Sequence, residues 1–230
     1  EISPLNTFRL RESFILGRSD HGDLADYLRH HPEFPDELDL ETLLDAHAPE
    51  LVREAIAMPS EIIPPTNLEI GPYELTIEDM PTIESPRILV KDKVEGPQGL
   101  RMLLEGLILF AREQTDEEMQ IVTFSNLVSP FGPIAKDEAQ TILHQWFDVV
   151  SDRYSPCPLI TPLVFKTAGA IAKNIEHVEW IHWRDKSLRF YPEYERLFFS
   201  DTEVSQKHSA LVKTLVVPLR RYLGRARGTL

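Results

Sequence analysis

Apolar residues recur at helical spacing over three long segments of the chain, and these segments are the clearest elements that the sequence predicts. The first covers residues 97–114, the second residues 136–152, and the third forms an apolar stripe over residues 204–223. Pro218 lies inside the third segment, where it removes one helical hydrogen bond, and Gly224 is expected to end that helix. Three amphipathic helices are therefore expected.

A shorter apolar segment, residues 121–128, lies between the first two helices and is followed by a turn-like sequence, residues 129–133. We predict that this segment is also helical, so that three successive helices between residues 97 and 152 pack on one another. A further helix is predicted over residues 163–174, which have small residues at their centre.

The period of the pattern changes to two over residues 177–191. Two aromatic-rich stretches there flank a four-residue polar connection, which is typical of a β-hairpin. Helices followed by a hairpin are the order of elements in a winged helix. A winged-helix-like module over residues 97–191 is one interpretation, with residues 136–152 as its recognition helix.

Six prolines between residues 59 and 86 exclude a long helix there, because each lacks an N–H donor and restricts the residue before it. The alternating residues between them predict two or three short strands. We expect a helical N-terminal subdomain over residues 1–58, a proline-rich linker with short strands over 59–95, and a main helical domain over 96–230 with the hairpin and a basic last helix. The predicted fold class is mainly α, of the α+β type: amphipathic helices packed with a small antiparallel β element.

The composition is that of an ordinary folded protein, since 42% of the 230 residues are hydrophobic. Cys157 is the only cysteine, which excludes an intrachain disulfide and a zinc site with several cysteines. No apolar stretch approaches the ~20 residues that a membrane helix needs. We expect a soluble intracellular protein, cytoplasmic or nuclear, without membrane insertion.

Charge is distributed unevenly along the chain, whose formal net charge is -13. Residues 1–60 contain thirteen acidic residues and five arginines, whereas residues 204–230 contain six basic residues and no acidic one. The basic residues are a candidate polyanion-binding surface. Alternatively, they complement the dipole of the last helix or pair with the acidic remainder of the chain. The six residues are Lys207, Lys213, Arg220, Arg221, Arg225 and Arg227.

His144, Asp148 and Asp152 fall on one face of the predicted helix 136–152 and have side chains that can bind a cation. The simpler interpretation is that they are the solvated side of an amphipathic helix. The chain has no Gly-x-Ser-x-Gly elbow, no Ser-x-x-Lys pair, no P-loop and no dinucleotide fingerprint. We therefore predict no catalytic residue, no metal site and no cofactor.

The aromatic hairpin provides the candidate partner-binding residues, because aromatic side chains are enriched in protein interfaces. They are Trp180, Trp183, Phe190 and Tyr191. The favoured hypothesis is a non-enzymatic protein-protein interaction or assembly subunit, with a protein partner or a second copy of the chain. One alternative is a nucleic-acid-binding protein that uses the basic last helix and the winged-helix-like module. A second alternative is an enzyme with a dispersed, motif-free active site.

Overall fold

The computed structural model describes residues 49–151 and 202–228, with all their side chains except those of Pro97, residues 202–209 and Leu211. Four helices and two small sheets lie in these ranges, so the fold is of the mixed α+β type. In chain order the elements are α1 (Glu50–Ala57), β1 (Thr66–Ile70), β2 (Tyr73–Ile77), β3 (Arg87–Leu89), α2 (Gly96–Arg112), β4 (Met119–Thr123), β5 (Leu127–Phe131), α3 (Lys136–Ser151) and α4 (Thr202–Arg221).

Strands β1 and β2 form an antiparallel hairpin that closes where Ile70 pairs with Tyr73. Gly71, in the turn, has a φ of 58°, a left-handed conformation that glycine adopts without a steric penalty. The buried side chains Leu68, Ile70 and Ile77 attach the hairpin to the main core.

The second sheet has the order β3-β4-β5 and combines two kinds of connection. Strands β3 and β4 are parallel, so the chain crosses between them through helix α2. Strands β4 and β5 are antiparallel and meet at a tight turn, in which Asn126 has a φ of 58°. Asparagine is one of the few residues other than glycine that tolerates this conformation.

Alternate side chains of the three-stranded sheet point to opposite faces. Both of these faces are covered by other parts of the chain. Leu89, Ile121 and Phe131 belong to the large core that includes side chains of α2, α3 and α4. Val122 and Val128, on the other face, pack against α1. The sheet therefore lies between one short helix and three long ones.

The prediction that residues 121–128 form a helix is wrong, because the segment runs from β4 through a turn into β5. Both faces of β4 are buried, so its apolar residues form a continuous run without the alternation that marks a half-exposed strand. Residues 129–131 belong to β5 and not to a turn. Where the winged-helix interpretation expects three successive helices, the structure has a helix, a β-hairpin and a second helix.

Three of the described helices agree with the sequence pattern. Helices α2, α3 and α4 coincide with the predicted segments to within two residues at each end, and Pro218 lies inside α4. The short strands predicted between residues 59 and 95 are β1, β2 and β3. The predicted helix at 163–174 and the aromatic hairpin at 177–191 lie outside the described residues, and the division into domains stays a prediction.

Candidate interaction surface

Helix α4 is attached to the core along one side. Val212, Leu215, Val216 and Leu219 are fully buried, at the spacing expected for one face of a helix. The indole N–H of Trp146, on α3, donates a hydrogen bond to the carbonyl oxygen of Leu215 at 3.2 Å. These contacts determine which side of α4 is turned toward solvent.

The solvent side of α4 and the segment that follows it carry basic residues. Lys213, Arg220 and Arg221 are exposed on the helix, and Arg225 and Arg227 are exposed beyond it. We call these five side chains the C-terminal cationic face. Five of the six residues predicted to bind polyanions are thus exposed, while the side chain of Lys207 lies outside the described set.

Residues 222–228, which we call the C-terminal tail, run along the outer edge of β5. Val128 and Arg227 exchange two main-chain hydrogen bonds, of 2.9 and 2.8 Å. The amide of Gly224 donates to the carbonyl oxygen of Pro130 at 2.8 Å, and the amide of Gly132 donates to that of Tyr222 at 3.1 Å. The tail therefore adds an irregular fourth strand to the sheet.

The side chain of Tyr222 holds the start of the tail against α3. Its hydroxyl donates a hydrogen bond to the carboxylate of Glu138. Burial of the hydroxyl, together with this bond and the negative charge of Glu138, raises the pKa of Tyr222 to about 12, although Arg221 opposes the increase.

We expect one tyrosine of the folded protein to ionise near pH 12, and the Tyr222→Phe variant to lack this step. Because the folded-state pKa lies above the ordinary value of 10.0, the stabilisation is complete below about pH 10 and is lost as the pH rises to about 12. Absorbance titration of both proteins, with circular dichroism to verify that they stay folded, measures the difference. Wild-type and variant curves that differ only near pH 10 would contradict this assignment.

The metal-binding hypothesis for His144, Asp148 and Asp152 gains no support from the described residues. Nε2 of His144 lies 3.7 Å from Oδ1 of Asp148, and both side chains are about half exposed. Asp148 accepts a hydrogen bond of 2.7 Å from the hydroxyl of Tyr73. No group of three His, Cys, Asp or Glu side chains suited to a metal occurs in the described ranges, which do not include Asp152.

Tyr73 is a contact residue that the sequence pattern did not indicate. Besides its bond to Asp148, its hydroxyl lies 3.0 Å from Oγ of Ser151, and its ring packs at a tilt against Phe147, with 5.5 Å between the ring centroids. These contacts join the β1–β2 hairpin to α3. They use the polar side of α3 for packing within the chain.

Large apolar side chains are exposed close to α1. Ile56, Met58 and Ile62 are each between 40% and 49% exposed, within a short stretch of chain. Val128, whose backbone pairs with Arg227, packs against the same helix.

The partner-binding residues predicted from the aromatic hairpin lie outside the described residues. They are Trp180, Trp183, Phe190 and Tyr191. Sequence reasoning treated Gly224 only as the end of a helix and missed the pairing of the tail with β5. The available signal was the spacing of Leu223, Arg225 and Arg227 at every second position, as in a strand. This spacing does not identify a partner strand nearly a hundred residues away.

Among the helices that the structure describes, none has the length and apolar character needed to cross a membrane. The chain matches no known protein-family model and no curated protein sequence.

Proposed function

We propose that this protein is a non-enzymatic interaction or assembly subunit that binds an acidic protein partner through the C-terminal cationic face. The observation that carries the proposal is the separation of charge. Five exposed basic side chains lie on α4 and the tail, where the sequence has no acidic residue after Glu203, in a chain whose net charge is -13. Complementary charge of this kind guides association and orients a partner.

A protein fits this surface better than a nucleic acid for two reasons. The net charge of -13 repels a long polyanion, whereas a short acidic protein surface experiences mainly the local positive charge. The exposed apolar side chains Ile56, Met58 and Ile62 also suit a protein interface, whose centre is more apolar than its rim. The aromatic hairpin predicted at residues 177–191 is part of the same proposal.

Nucleic-acid binding is the second candidate, and the same cationic face favours it. In a winged-helix arrangement α3 would be the recognition helix, but its first turn carries Asp137 and Glu138, which repel phosphates. The nucleic-acid candidate therefore depends on α4 and the tail and not on α3.

The double variant Arg221→Glu/Arg225→Glu tests the proposal against the matched control Arg53→Glu/Lys93→Glu. All four positions are exposed, and both variants change the net charge equally. We expect capture of an acidic protein from native extract, quantified by mass spectrometry, to fall by about tenfold for the first variant and to stay unchanged for the control.

Nuclease treatment and salt titration separate the two candidates. Capture that survives nuclease supports a protein partner. Direct binding of generic DNA or RNA that weakens with salt, and weakens further in Arg221→Glu/Arg225→Glu, would support nucleic acid instead. Equal capture by both variants would overturn the role of the cationic face.

A further inference from the structure

Among the residues that the structure describes, those on the outer edge of β5 belong to the C-terminal tail. Strand β4 pairs with its inner edge, whereas the tail makes four main-chain hydrogen bonds to Val128, Pro130 and Gly132 on the outer edge. Main-chain hydrogen bonds of this kind do not depend on the side chains of the added strand. Another extended segment can therefore make the same bonds.

The side chains of the tail contribute little to its attachment after Leu223. Tyr222 and Leu223 are half-buried against the core, but residues 224–228 are exposed. This part of the chain is held by backbone hydrogen bonds at the surface, which is the condition for local opening without loss of the core. Detachment of residues 224–228 would leave the amide and carbonyl groups of Val128 and the carbonyl of Pro130 without their partners.

Pro130 selects what can lie on this edge. A Cβ atom at Gly224 would lie 2.7 Å from Cγ of Pro130 and 3.3 Å from its carbonyl oxygen, so the residue opposite Pro130 must be glycine. The tail also carries three residues between its two bridges to β5, where β5 has two, so the added strand contains a bulge.

A second copy of β5 is a poor occupant of the same edge. Antiparallel pairing of two β5 strands would bring two prolines into one ladder, and each proline lacks the N–H group that the ladder needs. An extended peptide with glycine opposite Pro130 avoids this loss.

We propose that the outer edge of β5 is a strand-addition site for an extended segment of a partner protein with glycine opposite Pro130, and that the chain's own tail occupies this site until the partner displaces it. The proposal rests on the interaction role proposed above, for which it names the form of the partner. Displacement would also move Arg225 and Arg227, so strand addition and the cationic face are coupled.

A labelled synthetic peptide with the sequence of Tyr222–Gly228, titrated into full-length proteins, tests the proposal. In the Gly224→Val protein the chain's own tail is excluded by contact with Pro130, so the peptide should bind this protein at least about tenfold more tightly than wild type. Gly228→Val is the matched control, because a Cβ at Gly228 meets no atom within 4 Å, and it should bind the peptide like wild type. A peptide with valine in place of the glycine that corresponds to Gly224 should bind none of these three proteins.

Equal affinity of the Gly224→Val protein and wild type, or equal binding of the glycine and valine peptides, would overturn the proposal.

Hydrogen exchange of wild type gives a test that needs no variant. The amide of Val128 faces the tail, whereas those of Ser129 and Phe131 face β4. Faster exchange at Val128 is expected, and equal protection at all three amides would show that the tail opens only with the sheet. The peptide titration uses no natural partner, so it can fail while partner capture succeeds, and the reverse. Failure of the strand-addition proposal is therefore distinguishable from failure of the proposed function.

Discussion

Replacing Arg87 with methionine should lower the free energy of unfolding by about 3–5 kcal/mol, the range for removing one partner of a buried, hydrogen-bonded charge. The side chain is 4% exposed and donates to the carbonyl oxygens of Pro81, Thr82 and Ser85 at 2.6–2.8 Å. Its Nε lies 3.7 Å from Oε2 of Glu105 on α2. Methionine fills a similar volume but leaves all these oxygens without a donor.

Burial opposes the charge of Arg87, since loss of water lowers the pKa of the guanidinium, an effect that the nearby Glu105 opposes. The group nevertheless stays charged at neutral pH, because the pKa of arginine starts far above that range. The charge is needed to hold the loop that precedes β3 in place. Residues 81–85 follow β2, so loss of Arg87 should also loosen the connection between the two sheets.

Arg101→Met is the matched control. Arg101 pairs with the same carboxylate, at 2.9 Å from Oε1 of Glu105, but its side chain is 82% exposed. Exposed pairs of this kind contribute about 0–1 kcal/mol, so this variant should remain close to wild type. Urea denaturation measures both proteins, with the slope verified to be unchanged. If Arg87→Met and Arg101→Met had the same midpoint, the structural role assigned to Arg87 would be wrong.

The sequence predicted those elements whose pattern repeats within the element itself. Helices α2, α3 and α4 each have one buried side, so their apolar residues recur at helical spacing. Strands β4 and β5 could not be recognised in this way, because burial on both faces of the sheet removes the alternation. The periodicity of an element depends on which of its faces are buried. In this sheet both faces are buried by helices from other parts of the chain.

The polar contacts between distant parts of the chain could not be predicted from the sequence pattern, because periodicity does not identify their partners. The pairing of Val128 with Arg227, and the bond from Tyr73 to Asp148, join residues far apart in sequence. The burial of Arg87 likewise depends on contacts with the loop that precedes β3 and with Glu105 of α2. The cationic character of the last helix was readable from composition alone, because it needs no partner within the chain.

Substituting alanine for Gly132 should destabilise the protein nearly as much as the Arg87 change. Gly132 has a φ of 97°, which costs about 1–3 kcal/mol for a residue with a side chain. The new Cβ would also lie 2.3 Å from Cζ of Phe110, and overpacking of this kind costs a further ~1–3 kcal/mol. Phe110 cannot withdraw easily, because it is fully buried and packs edge-on against Phe131.

Two comparison proteins separate these causes of the Gly132→Ala effect. Gly228→Ala changes an exposed glycine with open space around it, so its unfolding midpoint should equal that of wild type. The double variant Gly132→Ala/Phe110→Leu relieves the steric contact but keeps the backbone strain, so it should be more stable than the sum of its single changes predicts. Strict additivity in urea denaturation would mean that Phe110 does not limit this position. Because the amide of Gly132 bonds to Tyr222, a folded Gly132→Ala protein should also show weaker protection of the tail, which links the packing of the core to the edge where we place the partner.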